Sequence, residues 1–316
     1  VKIAILRRND LGDLICTQPL INYLKLKHPS SEIHLFIDFN NEELTKYLCP
    51  DVKIHTIPKG NKYISLLTTA LKQRKERFDI AISAKSSPMK LNNLFLWVVN
   101  ARKRYAVTGH KKWHEKLINI STDFRRIDEF HQSLKLLKIF DPKIESIPFN
   151  LFPKIVMKDF SGLSNGKFPK ILFSVYNNRT RSQVTNERMV SIANEIIKDF
   201  PDAVFLISTL HKDREKANEL LAMIEGKSQI IESENLKSFL SLINSVDLVI
   251  VGDGGICHLA AALNKKIVAL YGVTKPQNWG PLISDELCIT LYDKENVNNI
   301  SLQEIYLSAL KLLSLK

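Results

Sequence analysis

The sequence predicts an α/β fold of two consecutive domains, each built on a parallel sheet, and three observations carry that prediction. Short runs rich in Ile, Val and Leu alternate with longer segments of helical periodicity. The alternation stops in a Pro-, Asn- and Gly-containing stretch at residues 142–169 and then restarts. The length of 316 residues, with 45% hydrophobic content, suffices for two ordinary domains with a core in each. The boundary is expected within residues 150–168, giving domains 1–160 and 161–316.

Residues 2–6, 32–37, 52–57 and 79–83 are the strand candidates of the first series. Residues 170–175, 203–208, 247–251, 267–271 and 287–291 are those of the second. Helical patterns at 187–199, 213–224 and 236–244 are long enough to cover a sheet, and residues 301–315 read as a terminal amphipathic helix. Strands alternating with helices make βαβ units, and in an open parallel sheet ligands collect at the carboxyl ends of the strands. Two such domains are therefore expected to face one another across a cleft, with function in the residues that follow each strand.

Composition narrows the setting. No apolar run approaches the roughly 18 to 20 residues of a membrane span, and the opening residues carry no secretion signal. Cys16, Cys49, Cys257 and Cys288 form neither a CxxC pair nor a grouping with histidine, which fits a reducing cytosol and argues for no metal site. A formal charge of +12 favours anionic partners: a phosphorylated substrate, acidic lipid headgroups or nucleic acid. Nucleic acid is set aside because there is no aromatic-bearing RNA motif and no helix-turn-helix signature. Gly226-Lys227-Ser228 has the ending of a phosphate loop, but Leu221 stands where its leading glycine belongs.

Three segments bear the chemistry. After the first strand comes Asn9-Asp10-Leu11-Gly12-Asp13, running into a helical stretch at 14–28 that contains Thr17 and Pro19. Gly12 permits a tight turn, and Asp13 reads either as a helix cap or as a general base. Pro19 either sits in a first turn after a Thr17 cap or kinks the helix. Next, an apolar strand at 247–251 enters Gly252-Asp253-Gly254-Gly255 and then a small-residue helix through His258 and Ala260-Ala261-Ala262. Free backbone amides at the positive end of that helix suit a diphosphate. Asp253 would repel phosphate, so it orients the loop or meets a sugar hydroxyl, while His258 is either structural or a phosphate donor. Downstream, Tyr271-Gly272-Val273-Thr274-Lys275-Pro276 and Trp279-Gly280-Pro281 form a strand end and a rigid loop, where Gly272, Thr274 and Lys275 are candidate nucleotide contacts.

The Gly12-Asp13 loop with Pro19, the Asp253-Gly254-Gly255-x-x-His258 segment, and Leu270-Tyr271-Gly272-x-Thr274-x-Pro276 through Gly280-Pro281 together resemble the lipopolysaccharide heptosyltransferase family, glycosyltransferase family 9. The order and spacing match over essentially the whole chain, including His131 in a mid-chain helix. The resemblance implies a GT-B fold of two Rossmann-like domains, acceptor-binding first and nucleotide-sugar-binding second, with a terminal helix able to cross back to the first. It implies inverting transfer of heptose from an ADP-heptose donor onto the lipopolysaccharide inner core, with no metal or cofactor. On that likeness Asp13 is the catalytic base, and Asp253, Gly254, Gly255 and His258 are the donor loop.

The chain departs from the family in two places. Gly254 stands where Ser or Thr is common, and Arg179 or Arg181 stands near the place of a lysine expected to clamp the diphosphate. Donor identity is therefore open between ADP-heptose and a hexose or N-acetylhexosamine on ADP or UDP. A non-catalytic nucleotide-binding protein and an epimerase are the remaining alternatives. A basic stretch holds Arg102, Lys103, Arg104, His110, Lys111, Lys112, His114 and Lys116, with Arg125 and Arg126 beyond. It is either a solvated surface or a surface for anions; in the second reading Gly12, Arg102, Arg104, Lys111 and Lys112 meet an anionic acceptor, and the patch meets the inner membrane leaflet peripherally.

Overall fold

The structure, a computed structural model, describes residues 1–8, 10–157, 168–174 and 180–315. Its contacts divide the chain into Val1–Pro153 and Lys154–Lys316, each with its own sheet.

The first unit holds β1 (Lys2–Arg7), β2 (Glu32–Asp38), β3 (Lys53–Ile57), β4 (Ile80–Ser83), β5 (Lys103–Thr108) and β6 (Ile120–Asp123). Its helices are α1 (Leu11–Ile15), α2 (Gln18–Lys27), α3 (Glu42–Leu48), α4 (Lys62–Gln73), α5 (Lys90–Val98) and α6 (Gln132–Phe140). All strands pair in parallel in the order β3-β2-β1-β4-β5-β6. A parallel sheet covered on both faces needs apolar residues at successive positions, which is why Ile3, Ala4, Ile5 and Leu6 are all buried. Phe36 sits edge-on to Phe95, with ring centroids 4.9 Å apart, in the middle of one covered face.

In the second unit are β7 (Lys170–Ser174), β8 (Val204–Thr209), β9 (Lys227–Glu232), β10 (Leu248–Gly252), β11 (Lys266–Tyr271) and β12 (Cys288–Tyr292). The helices are α7 (Asn186–Asp199), α8 (Arg214–Met223), α9 (Leu236–Ser245), α10 (Gly255–Ala262), α11 (Pro276–Trp279) and α12 (Leu302–Ser314). The strand order is β12-β11-β10-β7-β8-β9. Read outward from β7, it repeats the pattern of the first sheet. Ile305, Ala309 and Leu312 put the terminal helix α12 into this unit's core beside Ile192 and Ile196 of α7.

Each sheet thus has a topological switch point, between β1 and β4 in one and between β7 and β10 in the other. Successive helices cross to opposite faces there, opening a crevice at the carboxyl ends of the two central strands. The helical stretch expected at 14–28 is two helices, with Pro19 in the first turn of α2; Thr17 does not cap it, its hydroxyl donating instead to the Asp13 carbonyl at 2.9 Å. His131 lies just before α6 rather than inside a helix, and its Nδ1 accepts from the Ser133 amide at 3.2 Å. Lys227 and Ser228 open strand β9, a setting different from the strand-to-helix loop that cradles phosphate.

Candidate functional site

The first switch point is lined by charge. β1 ends in Arg7, whose side chain is 1% exposed, and α1 places Asp13 in its first turn, 12% exposed. Arg7 Nη2 pairs with Asp13 Oδ1, and Nη1 donates to the carbonyl of Ala84, the residue after β4. Lys85 follows, with Nζ 3.9 Å from Asp13 Oδ2. Asp13 is therefore set between two cations, one at the end of β1 and one in the loop after β4. Burial pushes the Arg7 guanidinium below its ordinary range and Asp13 opposes that; burial lowers the Lys85 ammonium too, again against Asp13.

Neighbouring groups complete the wall. Ser86 Oγ donates to Gln132 Oε1 at 3.0 Å, and Gln132 and Ser133 are buried at the start of α6. Cys16 is buried, and burial pushes its thiol up to about 12, so it is no nucleophile near neutral pH. What the cluster can do is hold one carboxylate in a fixed orientation at a crevice, the requirement for a group that takes a proton from a bound hydroxyl.

The acceptor residues expected from the sequence are not all brought to this place. Gly12 adjoins Asp13 in α1, and Lys111 and Lys112 are exposed in the loop after β5, at the same carboxyl edge of the sheet. Arg102 and Arg104 are at the amino end of β5, roughly 15–20 Å away along a strand of six residues. The Arg104 guanidinium is engaged locally, Nε donating to the Leu117 carbonyl at 2.7 Å and Nη1 to that of Ala101 at 2.8 Å.

At the second switch point, β10 runs through Gly252 into Asp253, which is buried and whose amide extends the ladder to Leu270 at 3.0 Å. Gly254 is the extended residue before α10, and the amides of Gly255 and Ile256 open the first turn, where a helix has no internal acceptors to offer. His258 is buried one turn in. A Cβ on Gly254 would meet nothing within 4 Å, so the space beside the loop is open. Gly272 differs: a Cβ there would lie 2.4 Å from the Arg181 carbonyl oxygen and 3.1 Å from the Val297 amide nitrogen. Only glycine lets the end of β11 touch the turn Thr180–Ser182, which carries exposed Arg181. Asn298 ties that turn's exit down, its Nδ2 donating to the Gln183 carbonyl at 2.9 Å and its Oδ1 accepting from the Thr185 amide at 3.0 Å.

Beyond Gly272, half-buried Thr274 and exposed Lys275 lead into α11. The Tyr271 hydroxyl donates to the Trp279 carbonyl at 2.8 Å and so pins this short helix to the sheet. Asp253, Gly254, Gly255, His258, Gly272, Thr274, Lys275 and Arg181 thus share the carboxyl edge of three strand neighbours, β7, β10 and β11. Arg179 lies outside the described residues. Sequence reasoning missed Arg7 and Lys85. Lys85 carried a usable signal, standing two residues beyond an expected strand.

The grouping of Glu32, His34 and Glu76, whose donor atoms lie within 4.8 Å of one another, has metal-like chemistry but sits at the amino edge of the first sheet. Its carboxylates already pair with Lys53 and with Lys2.

Known proteins share the two-sheet fold. Residues 194–308 match the profile of Glycosyltransferase family 9 (heptosyltransferase). Lipopolysaccharide heptosyltransferase 1 of Campylobacter coli is 27% identical over 293 residues, 87% of this chain and 84% of its own length. A family 9 glycosyl transferase structure from Veillonella parvula superposes with a TM-score of 0.83 at 18% identity, covering 99% of this chain and 97% of that one. A heptosyltransferase from E. coli solved with ADP gives 0.74 at 13% identity, over 99% and 100%. These structural likenesses identify the fold as GT-B.

Proposed function

We propose that this chain is a glycosyltransferase of family 9 that moves a heptose from ADP-heptose onto the inner core of lipopolysaccharide or lipooligosaccharide with inversion at the anomeric carbon. The observation that carries the reading is the carboxylate of Asp13 held at a switch point between Arg7 and Lys85. A relative named as a heptosyltransferase over 84% of its length and a fold neighbour solved with ADP support the choice of sugar and nucleotide.

In this mechanism the acceptor hydroxyl oxygen attacks the anomeric carbon on the face opposite the diphosphate. The bond from that carbon to the diphosphate oxygen breaks, and ADP leaves with the electron pair. A carboxylate is too weak a base to ionise an alcohol beforehand, so Asp13 takes the hydroxyl proton late, as the new glycosidic bond forms. The first-turn amides of α10 and the guanidinium of Arg181 oppose charge growing on the leaving diphosphate, the work a divalent cation does in other transferases. Arg7 and Lys85 act as positioning residues: they hold Asp13 without touching the sugar.

The test is direct assay of ADP-heptose consumption with defined core acceptors. Product formation that depends on both supports the proposal; binding of ADP without transfer to any core acceptor rejects it. The open space at Gly254 favours one second reading, in which the donor is another nucleotide sugar. Thermal-shift screening against ADP, UDP, GDP and CMP separates the two by which nucleotide stabilises the fold.

A further inference from the structure

The amino edge of the first sheet, opposite the edge that carries Asp13, gathers two histidines and two carboxylates around the start of β1. Glu32 and His34 are two residues apart on β2 and so project from the same face. Glu76 comes from the turn Arg74–Glu76 ahead of β4, on the other side of β1, and β1 puts only the methyl group of Ala4 beside His34. One donor atom each from Glu32, His34 and Glu76 lies within 4.8 Å of the others.

His34 is 2% exposed, and its Nε2 donates to Glu32 Oε1 at 2.8 Å. Its Nδ1 lies 2.8 Å from His55 Nε2, the two rings nearly parallel with centroids 4.9 Å apart. Phe78 meets the His34 ring edge-on, also at 4.9 Å. One nitrogen of a fixed imidazole thus faces carboxylates while the other faces a hydrogen-bond partner, the surroundings that orient a metal-bound histidine.

We propose that Glu32, His34 and Glu76 bind a divalent transition-metal ion of the zinc class, which clips β2 to the turn before β4 across β1. His34 Nε2 exchanges its proton for the metal, and the ring keeps one on Nδ1, donated to His55 Nε2. A mixed imidazole and carboxylate set suits zinc, whereas calcium and magnesium take oxygen ligands. Three protein donors leave the fourth position of a tetrahedral zinc to water. The lysines that neutralise the carboxylates leave the way in open. Lys53, paired with Glu32, is 63% exposed, and Lys2, 2.7 Å from Glu76 Oε2, is 37% exposed. Ion pairs this close to water contribute little, so both ammoniums can swing outward as the metal takes their place. Asp13 is roughly 15–20 Å away, beyond the other end of the six-residue strand β1, so the metal acts on stability rather than on transfer.

The experiment is equilibrium dialysis of the tag-free full chain against Zn²⁺ alone, with no nucleotide or sugar present, followed by scanning fluorimetry and X-ray absorption of the loaded protein. One zinc per chain is expected, with a raised Tm and an imidazole nitrogen at about 2.0–2.1 Å in its coordination shell. Glu76→Gln and His34→Gln each weaken zinc binding roughly 100-fold, and His55→Phe, which removes the partner behind the ring, weakens it roughly tenfold. Circular dichroism checks folding, and Glu76→Gln leaves the buried ring in place, so it decides the question even should His34→Gln fail to fold. His211→Gln and Cys288→Ser remove an exposed histidine paired with Glu232 and a half-buried thiol of the second unit, and leave zinc binding unchanged. Absence of bound zinc, sulfur in its coordination shell, indifference to Glu76→Gln, or calcium bound as tightly as zinc overturns the proposal.

Discussion

Replacing Gly272 by Ala adds one methyl carbon where the backbone of Arg181 already approaches closely. That carbon would lie 2.4 Å from the Arg181 carbonyl oxygen, against an ordinary approach of about 3.3 Å. The obstacle is backbone, so no side-chain rotation relieves it. Either the end of β11 or the turn Thr180–Ser182 must move by roughly 1 Å, an overpacking that costs about 1–3 kcal/mol. For a domain of this size that is a fall in Tm of roughly 2–4 °C per kcal/mol. The same displacement carries Arg181 away from the leaving diphosphate, and a misplacement of about 1 Å can cost on the order of 100-fold in rate. Gly254→Ala is the matched control, because its methyl meets nothing within 4 Å and its backbone is extended; stability should stay within about 0.5 kcal/mol of the parent. Differential scanning fluorimetry and initial rates of ADP release measure both. Unchanged Tm and turnover in Gly272→Ala would show that the Thr180–Ser182 turn is not seated against β11 as described.

Arg7→Met leaves the Asp13 carboxylate and the Ala84 carbonyl without their buried donor, and denaturant unfolding should show a loss of about 3 kcal/mol, together with reduced turnover; a neutral substitution would mean the pair is not formed. Lys85→Met should leave stability near the parent, since burial already opposes the ammonium, while turnover falls roughly tenfold. Lys85 is held below its ordinary 10.5 and loses its charge as pH rises through that lowered value, so the alkaline fall in turnover should move upward in Lys85→Arg. His55, half-buried and stacked on His34 and Phe36, is lowered by burial from 6.5 to about 4. The folded chain thus prefers neutral imidazole, and unfolding takes up a proton between those values; stability is fully present above pH 6.5 and declines as pH falls through about 4. His55→Phe should flatten that part of a Tm-against-pH curve. Turnover should persist in excess chelator, and a strict magnesium requirement would replace the proposed handling of the diphosphate.

The fold was legible where burial on both faces forces apolar runs, as in residues 2–6 and 247–251. It was illegible at one margin of each sheet, the β5-β6 side of the first and the β9 edge of the second. β5 begins Lys103-Arg104, charged residues that read as a surface patch, although Arg104 spends its guanidinium on the carbonyls of Leu117 and Ala101. β6 and β9 are edge strands, paired on one side only, and Lys227, Gln229 and Glu232 need no apolar neighbour there. At the site, Asp13 and the Gly254 loop announce themselves because short polar segments follow strong strands. Arg7 does not, because it closes an apolar strand and its burial against Asp13 and Ala84 depends on β4, more than seventy residues away in the chain. Gly272 was visible as a glycine near the nucleotide pocket, but its reason, the backbone of Arg181 pressed against it, exists only in three dimensions.

Asp13 as the proton acceptor is tested most directly by kcat for Asp13→Asn with ADP-heptose and a defined core acceptor. Because the substitution also leaves buried Arg7 without its anion, rates are to be normalised to the folded fraction, and ADP affinity is to be titrated in parallel. The expected result is kcat lower by about 10²–10⁴ with ADP affinity retained. A folded Asp13→Asn protein that turns over at nearly the parent rate would contradict the assignment.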